Sequence, residues 1–480
     1  MIAKLLTLLV LLSFVVSTPV AATIIEVNWS GGGDHTTIQD GVNAAGEGDT
    51  VLVMAGTYTG AGNINIDFAG TNAVLLGQGG AMNVTIDCGG AGRAFYFHSW
   101  ETSDCVVEGL TITNGSQVYG GAMYFINSTP TIRDCVITEN TASIRGGGAV
   151  CTSMGDPTFD ECTFSSNSAP LGGGVSCEVS GNPFFDRCTF TNNTTTDGGG
   201  AAHISDAYPS FLVCGFHGNT VTGDFRDGGA MYIEEGAAPW LSGCTFNSNS
   251  STLLGGAVLV RGGSYPEFSG CLFGSNLAGQ SGGAVGMYES SSPTLSYCWF
   301  SGNGATMSGG AVVVQDGSTP SFDGCTFDNN SALFTGGALS FEYIAEPTLT
   351  QCTLYANSAP EGSGIWCDAN FSMDNCIIAF GITGEAVHCV GDSPEPACSD
   401  IYGNAGGDWV GCLAGLDMID NNFSEDPLFC NAPGGIFHID VASPCTADNV
   451  PACGQVGAWG IDCDSPVKAR SWGEIKAMYR

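Results

Sequence analysis

The side chains that could carry acid–base, metal or anion chemistry are few in this chain, and they are scattered. The body between residues 5 and 467 contains no lysine and six arginines: Arg93, Arg133, Arg145, Arg187, Arg226 and Arg261. The six histidines, no two of which stand four residues apart, are His35, His98, His203, His217, His388 and His438. The arginines show no common offset that would collect them in one groove. The pattern predicts lone solvated arginines and structural histidines, and it indicates no catalytic residue, no metal site and no cofactor.

Cysteines, in contrast, recur with a period. Ten of the 22 cysteines follow one another at intervals of 24 to 30 residues: Cys135, Cys162, Cys188, Cys214, Cys244, Cys271, Cys298, Cys325, Cys352 and Cys376. Stacked coils would bring such residues within bridging distance, but inward-pointing side chains are poorly oriented for a disulfide. We therefore predict a structural ladder of free, buried thiols. A metal stack is disfavoured because no Cys-x-x-Cys or paired histidine accompanies the ladder.

Asparagine recurs in the same units. In nine of them Pro stands five residues before the cysteine, an apolar residue lies two after it, and Asn lies five after it. The asparagines are Asn140, Asn167, Asn193, Asn219, Asn249, Asn276, Asn303, Asn330 and Asn357. Asparagine tolerates the left-handed backbone that ends a strand sharply, and stacked amides can hydrogen-bond between coils. We predict that this Asn ladder is structural.

These offsets define a unit of about 26 to 27 residues with roughly three short strands, three turns and a Gly-Gly pair. Such a unit cannot bury its own apolar face, whereas stacked units can. Leucine-rich repeats have a similar period, but their spaced leucines are absent. The sequence therefore predicts an all-β right-handed parallel β-helix solenoid, with one unit per coil and an N-terminal cap helix.

The chain divides into five predicted segments. They are a secretory signal peptide at 1–22, an N-terminal cap with the first coil at 23–60, β-helix repeats at 61–380, irregular Cys-rich last coils at 381–463, and a basic tail at 464–480. In the cap, Ile38, Val42 and Ala45 share one face of a short amphipathic helix. Among the seven cysteines after residue 380 we expect disulfides, with the pairing left open. The tail is interpreted as a sorting or anchoring signal, and a terminal helix packed on the last coil is the alternative.

Three stretches resemble known families. Residues 36–58, which include TTIQDGVNAA and GDTVLVMAGTY, resemble the start of pectin-lyase-like β-helix proteins; this implies the fold and no particular activity. The GGA and FxxN repeats of residues 120–365 resemble those of the chlamydial polymorphic outer-membrane proteins. The segments NNFSEDPLF (421–429) and GAWG (457–460) resemble the last coils of bacterial surface proteins of the choice-of-anchor type.

The pectin-lyase-like fold also hosts pectate lyases and polygalacturonases, whose motifs are missing here. A polygalacturonase needs paired carboxylates as acid and base, in motifs such as Asn-Thr-Asp, Asp-Asp and Gly-His-Gly, and none of these occurs. The Trp-Ile-Asp-His segment of calcium-dependent pectate lyases is also absent. The sequence therefore favours a function without catalysis. A polysaccharide lyase or glycoside hydrolase with an unrecognised site is the alternative.

The composition limits the possible binding partners of the protein and its possible location. A net charge of −36 repels nucleic acid and anionic membranes, so nucleic-acid binding is excluded. After the signal peptide no stretch is long and apolar enough to span a bilayer. We expect an exported bacterial protein, extracellular or at the cell surface in association with the outer membrane. The acidic side chains offer oxygen ligands for weak Ca²⁺ binding at most.

The most variable part of the repeat is the loop between the Gly-Gly strand and Pro. Examples are VQDGST, EEGAA and EYIAE. In a solenoid these loops form a stripe down one side, and binding residues concentrate on loops. We predict a structural or adhesive module whose loop stripe contacts an extracellular glycan or surface protein, and whose tail engages the export or sorting machinery.

Overall fold

A computed structural model describes residues 22–223, 227–391 and 394–463. The predicted signal peptide up to residue 21 and the basic tail at 464–480 lie outside these ranges. Within them, none of the helices has the length and hydropathy needed to cross a membrane.

One short α-helix, Ile38–Ala44, closes the N-terminal end. Its first turn is capped by Thr37, whose hydroxyl oxygen accepts a hydrogen bond from the Asp40 amide at 3.3 Å. Ile38 and Val42 are buried in the main hydrophobic core. The helix therefore covers the open end of the solenoid, as the sequence predicts.

Parallel strands form four long sheets, numbered I to IV in the order in which one coil visits them. Sheet I has 15 strands: Ile24–Val27, Thr50–Val53, Val74–Gly77, Val106–Glu108, Thr131–Arg133, Thr158–Asp160, Phe184–Asp186, Ser210–Leu212, Trp240–Ser242, Glu267–Ser269, Thr294–Ser296, Ser321–Asp323, Thr348–Thr350, Ser372–Asp374 and Glu395–Ala397. Sheet II has 14: Gly56–Thr59, Val84–Asp87, Thr111–Thr113, Val136–Thr138, Thr163–Ser165, Thr189–Thr191, Gly215–His217, Thr245–Asn247, Leu272–Gly274, Trp299–Ser301, Thr326–Asp328, Thr353–Tyr355, Ile377–Ala379 and Asp400–Tyr402.

Sheets III and IV follow the asparagine and the Gly-Gly pair. Sheet III has nine strands: Ser116–Tyr119, Thr141–Arg145, Ser168–Leu171, Thr194–Gly198, Thr220–Val221, Ser250–Ser251, Leu277–Ala278, Gly304–Ala305 and Ser331–Ala332. Sheet IV has 12: Phe95–Phe97, Met123–Ile126, Ala149–Thr152, Val175–Glu178, Ala202–Ser205, Met231–Glu234, Val258–Val260, Val285–Met287, Val312–Val314, Leu339–Phe341, Ile365–Cys367 and Val387–Cys389.

The predicted all-β parallel solenoid is confirmed, but the central coils contain four strands each and not about three. The additional break separates sheets III and IV at the first glycine of the pair. Gly146, for example, has φ +64°, and a Cβ there would stand 2.2 Å from the carbonyl oxygen of Ala149. The bend is too tight for a side chain, and this explains why the repeat places Gly at this offset.

Alternation along each short strand sends one apolar side chain into the core. Phenylalanines at equivalent positions then stack between coils: Phe159 on Phe185 in sheet I, and Phe273 on Phe300 in sheet II, with ring centroids 5.0 and 4.6 Å apart. The interior is therefore a set of continuous aromatic and aliphatic columns. Each coil packs on the next in the same way, and this repeated packing stabilises the columns.

The ten predicted ladder cysteines lie at the bend between sheets I and II. All ten are buried, and none forms a disulfide. The Cys162 thiol donates to the carbonyl oxygens of Ile132 and Asp160, at 3.4 and 3.5 Å. Burial raises the pKa of this thiol well above its ordinary value. The ladder cysteines thus fill the bend as small, buried hydrogen-bonding groups.

The nine predicted ladder asparagines lie at the bend after sheet II, and all are buried. The Asn193 side-chain amide donates to the Phe164 carbonyl oxygen at 2.9 Å and to Asn219 Oδ1 at 3.0 Å. The same Oδ1 accepts from the Asn193 backbone amide at 3.0 Å. Asn404, which the nine predicted positions do not include, acts in the same way: its Oδ1 accepts from the Gly381 amide at 2.9 Å.

Beyond the last coil the chain turns back along the solenoid. Of the predicted Cys-rich last coils at 381–463, only the strands up to Asp400–Tyr402 extend the long sheets. The antiparallel pair Phe429–Asn431 and Ile436–Ile439 begins a segment that lies on the outer face of sheet II. We call residues 427–463 the C-terminal arm. It also contains the 3₁₀ turn Ala432–Gly434, and a second such turn, Gly411–Leu413, precedes it.

Specific contacts hold the arm on sheet II. The indole Nε1 of Trp459 donates to Thr326 Oγ1 at 2.7 Å, across 133 residues of sequence. The Phe437 ring meets the edge of Trp299, with centroids 6.0 Å apart. Three disulfides fasten this end of the molecule: Cys389–Cys412, Cys398–Cys453 and Cys430–Cys463. The expectation of disulfides among the late cysteines is confirmed, and Cys445 remains a buried free thiol.

Candidate functional site

Six charged side chains from neighbouring coils meet on the outer face of sheet I and at the bend beside it. This acid–arginine cluster comprises Glu108, Arg133, Asp160, Glu161, Asp186 and Arg187. Arg133, Asp160 and Asp186 occupy one register position on three adjacent strands. Because alternate residues of a strand face the same side, all three point away from the core, whose side of the strands is taken by the intervening apolar residues.

The Arg187 guanidinium is the centre of this cluster. It donates to Asp160 at 2.6 Å, to Glu161 at 2.7 Å and to Asp186 at 2.5 Å. The two aspartates are bound by its two terminal nitrogens, which hold them side by side. Arg133 lies on the other side of Asp160, at 3.4 Å, and also reaches Glu108 at 3.4 Å.

The electrostatic environment of the cluster shifts the pKa of two of its members, Asp186 and Arg187. Burial raises the pKa of Asp186 above its ordinary value, since it outweighs the opposing effect of Arg187, and the charges of Asp160 and Glu161 add to the rise. The hydrogen bond with Glu161 raises the pKa of Arg187. A pair of neighbouring carboxyl groups is the arrangement that acid–base work on a glycosidic bond requires.

The prediction that each arginine is a lone solvated charge is wrong for four of the five arginines in the described residues. Besides Arg133 and Arg187, Arg145 pairs with Glu178, and Arg261 pairs with Glu289. A signal for the cluster existed in the sequence. Counted from the repeat proline, Arg133, Asp160 and Asp186 stand at offset three, and Glu161 and Arg187 at offset four.

Four exposed aromatic side chains flank the cluster on the same side of the solenoid. This aromatic row comprises Phe184, Tyr208, Trp240 and Tyr265, each between 37% and 47% exposed. Phe184 and Trp240 share a register position two strands apart, with Ser210 between them. Phe184 lies two residues before Asp186, on the same face of the same strand, so the row and the cluster form one continuous surface.

The two tyrosines of the row lie in the variable loops, each directly before a repeat proline. The two residues stand two coils apart, and the equivalent residue of the intervening coil is the small Ala238. The hydrogen bond with Tyr265 raises the pKa of Tyr208. The pair therefore presents two phenol rings to solvent from coils that lie about 9.6 Å apart along the solenoid.

The histidines are not brought together. His203 is the most enclosed: its Nδ1 lies 3.0 Å from Ser176 Oγ, and its Nε2 lies 3.1 Å from Glu234 Oε1. The order serine, histidine, glutamate resembles a nucleophile relay. However, both Ser176 and His203 are fully buried, so a substrate carbonyl cannot reach the hydroxyl group. This chain of hydrogen bonds is structural in the described state.

Several carboxylates that could serve as metal ligands are used in other interactions. Within residues 22–223, 227–391 and 394–463, no three His, Cys, Asp or Glu side chains converge in a way that could hold a metal ion. Asp34, in the GGGDHTTIQ stretch, is used locally: its carboxylate accepts a hydrogen bond from the Glu26 amide at 2.9 Å. The four carboxylates of the acid–arginine cluster are likewise engaged by guanidinium groups.

The chain belongs to the right-handed β-helix family. A family described as "right handed beta helix region" matches residues 50–210, 198–342 and 275–423. The coils are therefore right-handed, and the predicted superfamily-level resemblance is confirmed by this match and by the solved structures of similar fold. No curated protein matches the chain.

Several solved structures with a similar fold are polysaccharide lyases. A mannuronic acid specific polysaccharide family 6 lyase from human gut microbiota superposes with a TM-score of 0.51 at 11% identity, covering 95% of this chain and 99% of its own. An alginate lyase complex gives 0.45 at 11% identity, covering 90% and 93%. Pectate lyase Pel9A gives 0.30 at 13% identity, covering 92% and 96%. At these identities the likeness concerns the fold alone.

Proposed function

We propose that this chain is an exported β-helix module, released from or displayed at the bacterial cell surface, that binds an extended neutral polysaccharide along sheet I. The observation that carries the proposal is the aromatic row. Large apolar side chains exposed together on one face mark a binding surface. Flat, amphipathic rings at the spacing of successive coils suit the stacked faces of an extended sugar chain.

The charge of the surface argues for a neutral ligand. Both arginines next to the row, Arg133 and Arg187, are already paired with carboxylates. With a net charge of −36 on the whole chain, a polyanion would be repelled at long range and would find no unpaired cation in the cluster. Export and surface display are supported by the sequence of residues 1–22 and 464–480 and by the resemblance to bacterial surface proteins.

The test uses residues 23–480 and a panel of neutral and acidic oligosaccharides of five to six sugars, with binding followed by titration calorimetry. We expect binding to at least one neutral oligosaccharide. Trp240→Ala should weaken it ten- to hundredfold, because a stacked ring of this size contributes about 1.5–3 kcal/mol. The double variant Tyr208→Ala with Tyr265→Ala should act similarly.

A matched control is Tyr343→Ala. Tyr343 is an exposed aromatic residue in the same kind of loop, but it lies three coils beyond Tyr265 and outside the row. Its replacement should leave affinity unchanged. Binding that Trp240→Ala does not weaken, or an equal loss in the Tyr343 variant, would contradict a site on the aromatic row.

A second function, hydrolysis of the bound glycan, is favoured by Asp160 and Asp186. They lie side by side next to the row, and burial raises the pKa of Asp186, as a proton donor requires. Release of new reducing ends from the bound oligosaccharide, abolished by Asp186→Asn with binding intact, would establish cleavage. Binding with no new reducing ends would leave the module as a binder only.

A further inference from the structure

Arg93 differs from every other arginine in the described residues, because it has no carboxylate partner. Arg133, Arg145, Arg187 and Arg261 each form an ion pair. The Arg93 guanidinium instead lies over two tyrosine rings, 5.4 Å from the centroid of Tyr96 and 4.9 Å from that of Tyr124. In a chain with 47 acidic and 11 basic side chains, a cation left without a carboxylate is an unexpected arrangement.

The surroundings of Arg93 form a small cradle on the outer face of sheet IV, built from two adjacent coils. Tyr96 and Tyr124 are register partners on neighbouring strands, and their rings meet edge to face with centroids 5.7 Å apart. The ring of His98 lies against Tyr96, with centroids 4.1 Å apart, and its Nε2 lies 3.2 Å from the Asp67 carboxylate. The Asp67 carboxylate is therefore turned toward the histidine.

The guanidinium is incompletely satisfied in this cradle. Its five N–H groups have fixed directions that match the oxygens of a planar or trigonal oxyanion, and the tyrosine faces satisfy the charge only through ring electrons. Burial lowers the pKa of Arg93, and only the two tyrosines counteract this effect. Part of the hydration of the guanidinium is thus lost without a protein anion in return.

We propose that the Arg93 cradle is a binding site for an anionic sugar, with the oxyanion bound by Arg93 and the sugar beside the half-exposed Tyr96. The charged group is a carboxylate or a sulfate, since both offer two oxygens to a guanidinium fork. This site lies on sheet IV, away from the aromatic row on sheet I, and it does not depend on the proposed binding of a neutral polysaccharide.

The strong negative charge of the chain selects among anionic ligands. A long polyanion meets repulsion from the whole surface, whereas one sugar with a single charge is opposed only by groups within about a Debye length. The site therefore fits a terminal acidic sugar or a free monosaccharide better than the interior of an acidic polymer.

The test titrates residues 23–480 with glucuronate, glucose 6-sulfate and glucose, and follows binding by ligand-observed NMR. We expect saturable binding of at least one charged sugar and none of glucose. The relative affinity of the carboxylate and the sulfate identifies the charged group. Glucose binding as well as the charged sugars, or no binding of any of the three up to ~10 mM, would overturn the proposal.

Variants separate the cradle from general charge effects. Arg93→Gln should reduce affinity at least tenfold, and Arg93→Lys should reduce it less, because the charge remains while the two-pronged hydrogen bonding is lost. Arg261→Gln is the control, since Arg261 also lies at sheet IV but is paired with Glu289. Thermal unfolding of each variant verifies its fold. Equal affinity of Arg93→Gln and the unaltered chain would refute the site.

Discussion

In the coils from Cys135 to Cys376 every ladder thiol is free and buried, whereas six of the seven cysteines after residue 380 form disulfides. The central coils repeat one packing arrangement, so each coil satisfies the hydrogen bonds of the next. The C-terminal arm has no repeat to copy. It is fastened by covalent links and by single contacts such as Trp459 to Thr326. The difference teaches that stacking replaces cross-links only where equivalent residues recur.

Removing one asparagine from the middle of the Asn ladder should cause the largest loss of stability in the central coils. Asn219 donates to the Phe190 carbonyl oxygen and to Asn249, and it accepts twice from Asn193. Asn219→Ala leaves several buried groups unpaired, so we expect a loss of roughly 4 kcal/mol in the free energy of unfolding. Denaturant unfolding followed by circular dichroism measures it.

The control for this change is Asn247→Ala, since Asn247 is exposed on the adjacent coil. It should alter the free energy of unfolding by less than about 0.5 kcal/mol. Equal effects of the two substitutions would show that the ladder does not stabilise the coils.

At the junction of the last coil with the arm, a buried carboxyl group predicts pH dependence. Burial raises the pKa of Asp400 to about 7, and the Glu425 amide and the Cys445 thiol donate to it. The native chain therefore keeps a proton that the unfolded chain releases near pH 4. The stability due to this group is complete below pH 4 and is lost as the pH rises through 7.

Asp400→Asn should remove this dependence. We expect the variant to gain up to ~4 kcal/mol on the unaltered chain between pH 4 and pH 8, and melting temperatures across this range measure the change. Asp374→Asn, at an exposed position of sheet I, is the control. A constant difference between Asp400→Asn and the unaltered chain at all pH values would contradict burial of the charge.

Removing the disulfide between the last coil and the C-terminal arm should have a smaller and more local effect on stability. Replacing Cys398 and Cys453 by Ala removes a disulfide that closes 55 residues, at a cost of about 3 kcal/mol. Hydrogen exchange should increase in the arm and stay slow in the central coils. Cys214→Ala, in the thiol ladder, should leave exchange in the arm unchanged. Faster exchange throughout the solenoid after loss of the disulfide would mean that the arm and coils unfold together.

Much of the fold was predictable because a sequence repeat of fixed period is compatible with few folds. The offsets of Pro, Cys, Asn and Gly-Gly specify where each coil bends, and the cap helix follows from its own apolar spacing. The acid–arginine cluster was missed although its residues share offsets from the repeat proline. Taken along the chain, Arg133 and Arg187 stand 54 residues apart and show no pairing. Asn404 was missed because its coil has Ser399 where the repeat has cysteine, although Pro394 keeps the proline offset.

The sequence by itself determined the parallel solenoid, the two ladders and the presence of disulfides in the last segment, because these depend on residues at fixed offsets within one unit. Only the tertiary structure decided which variable residues meet. Arg187 reaches Glu161 one coil away, Arg93 meets two tyrosines instead of a carboxylate, and the arm folds back onto sheet II. Such contacts depend on the register between coils and on the path of the chain after the repeat ends. A local periodicity encodes neither the register between coils nor the path of the chain after the repeat.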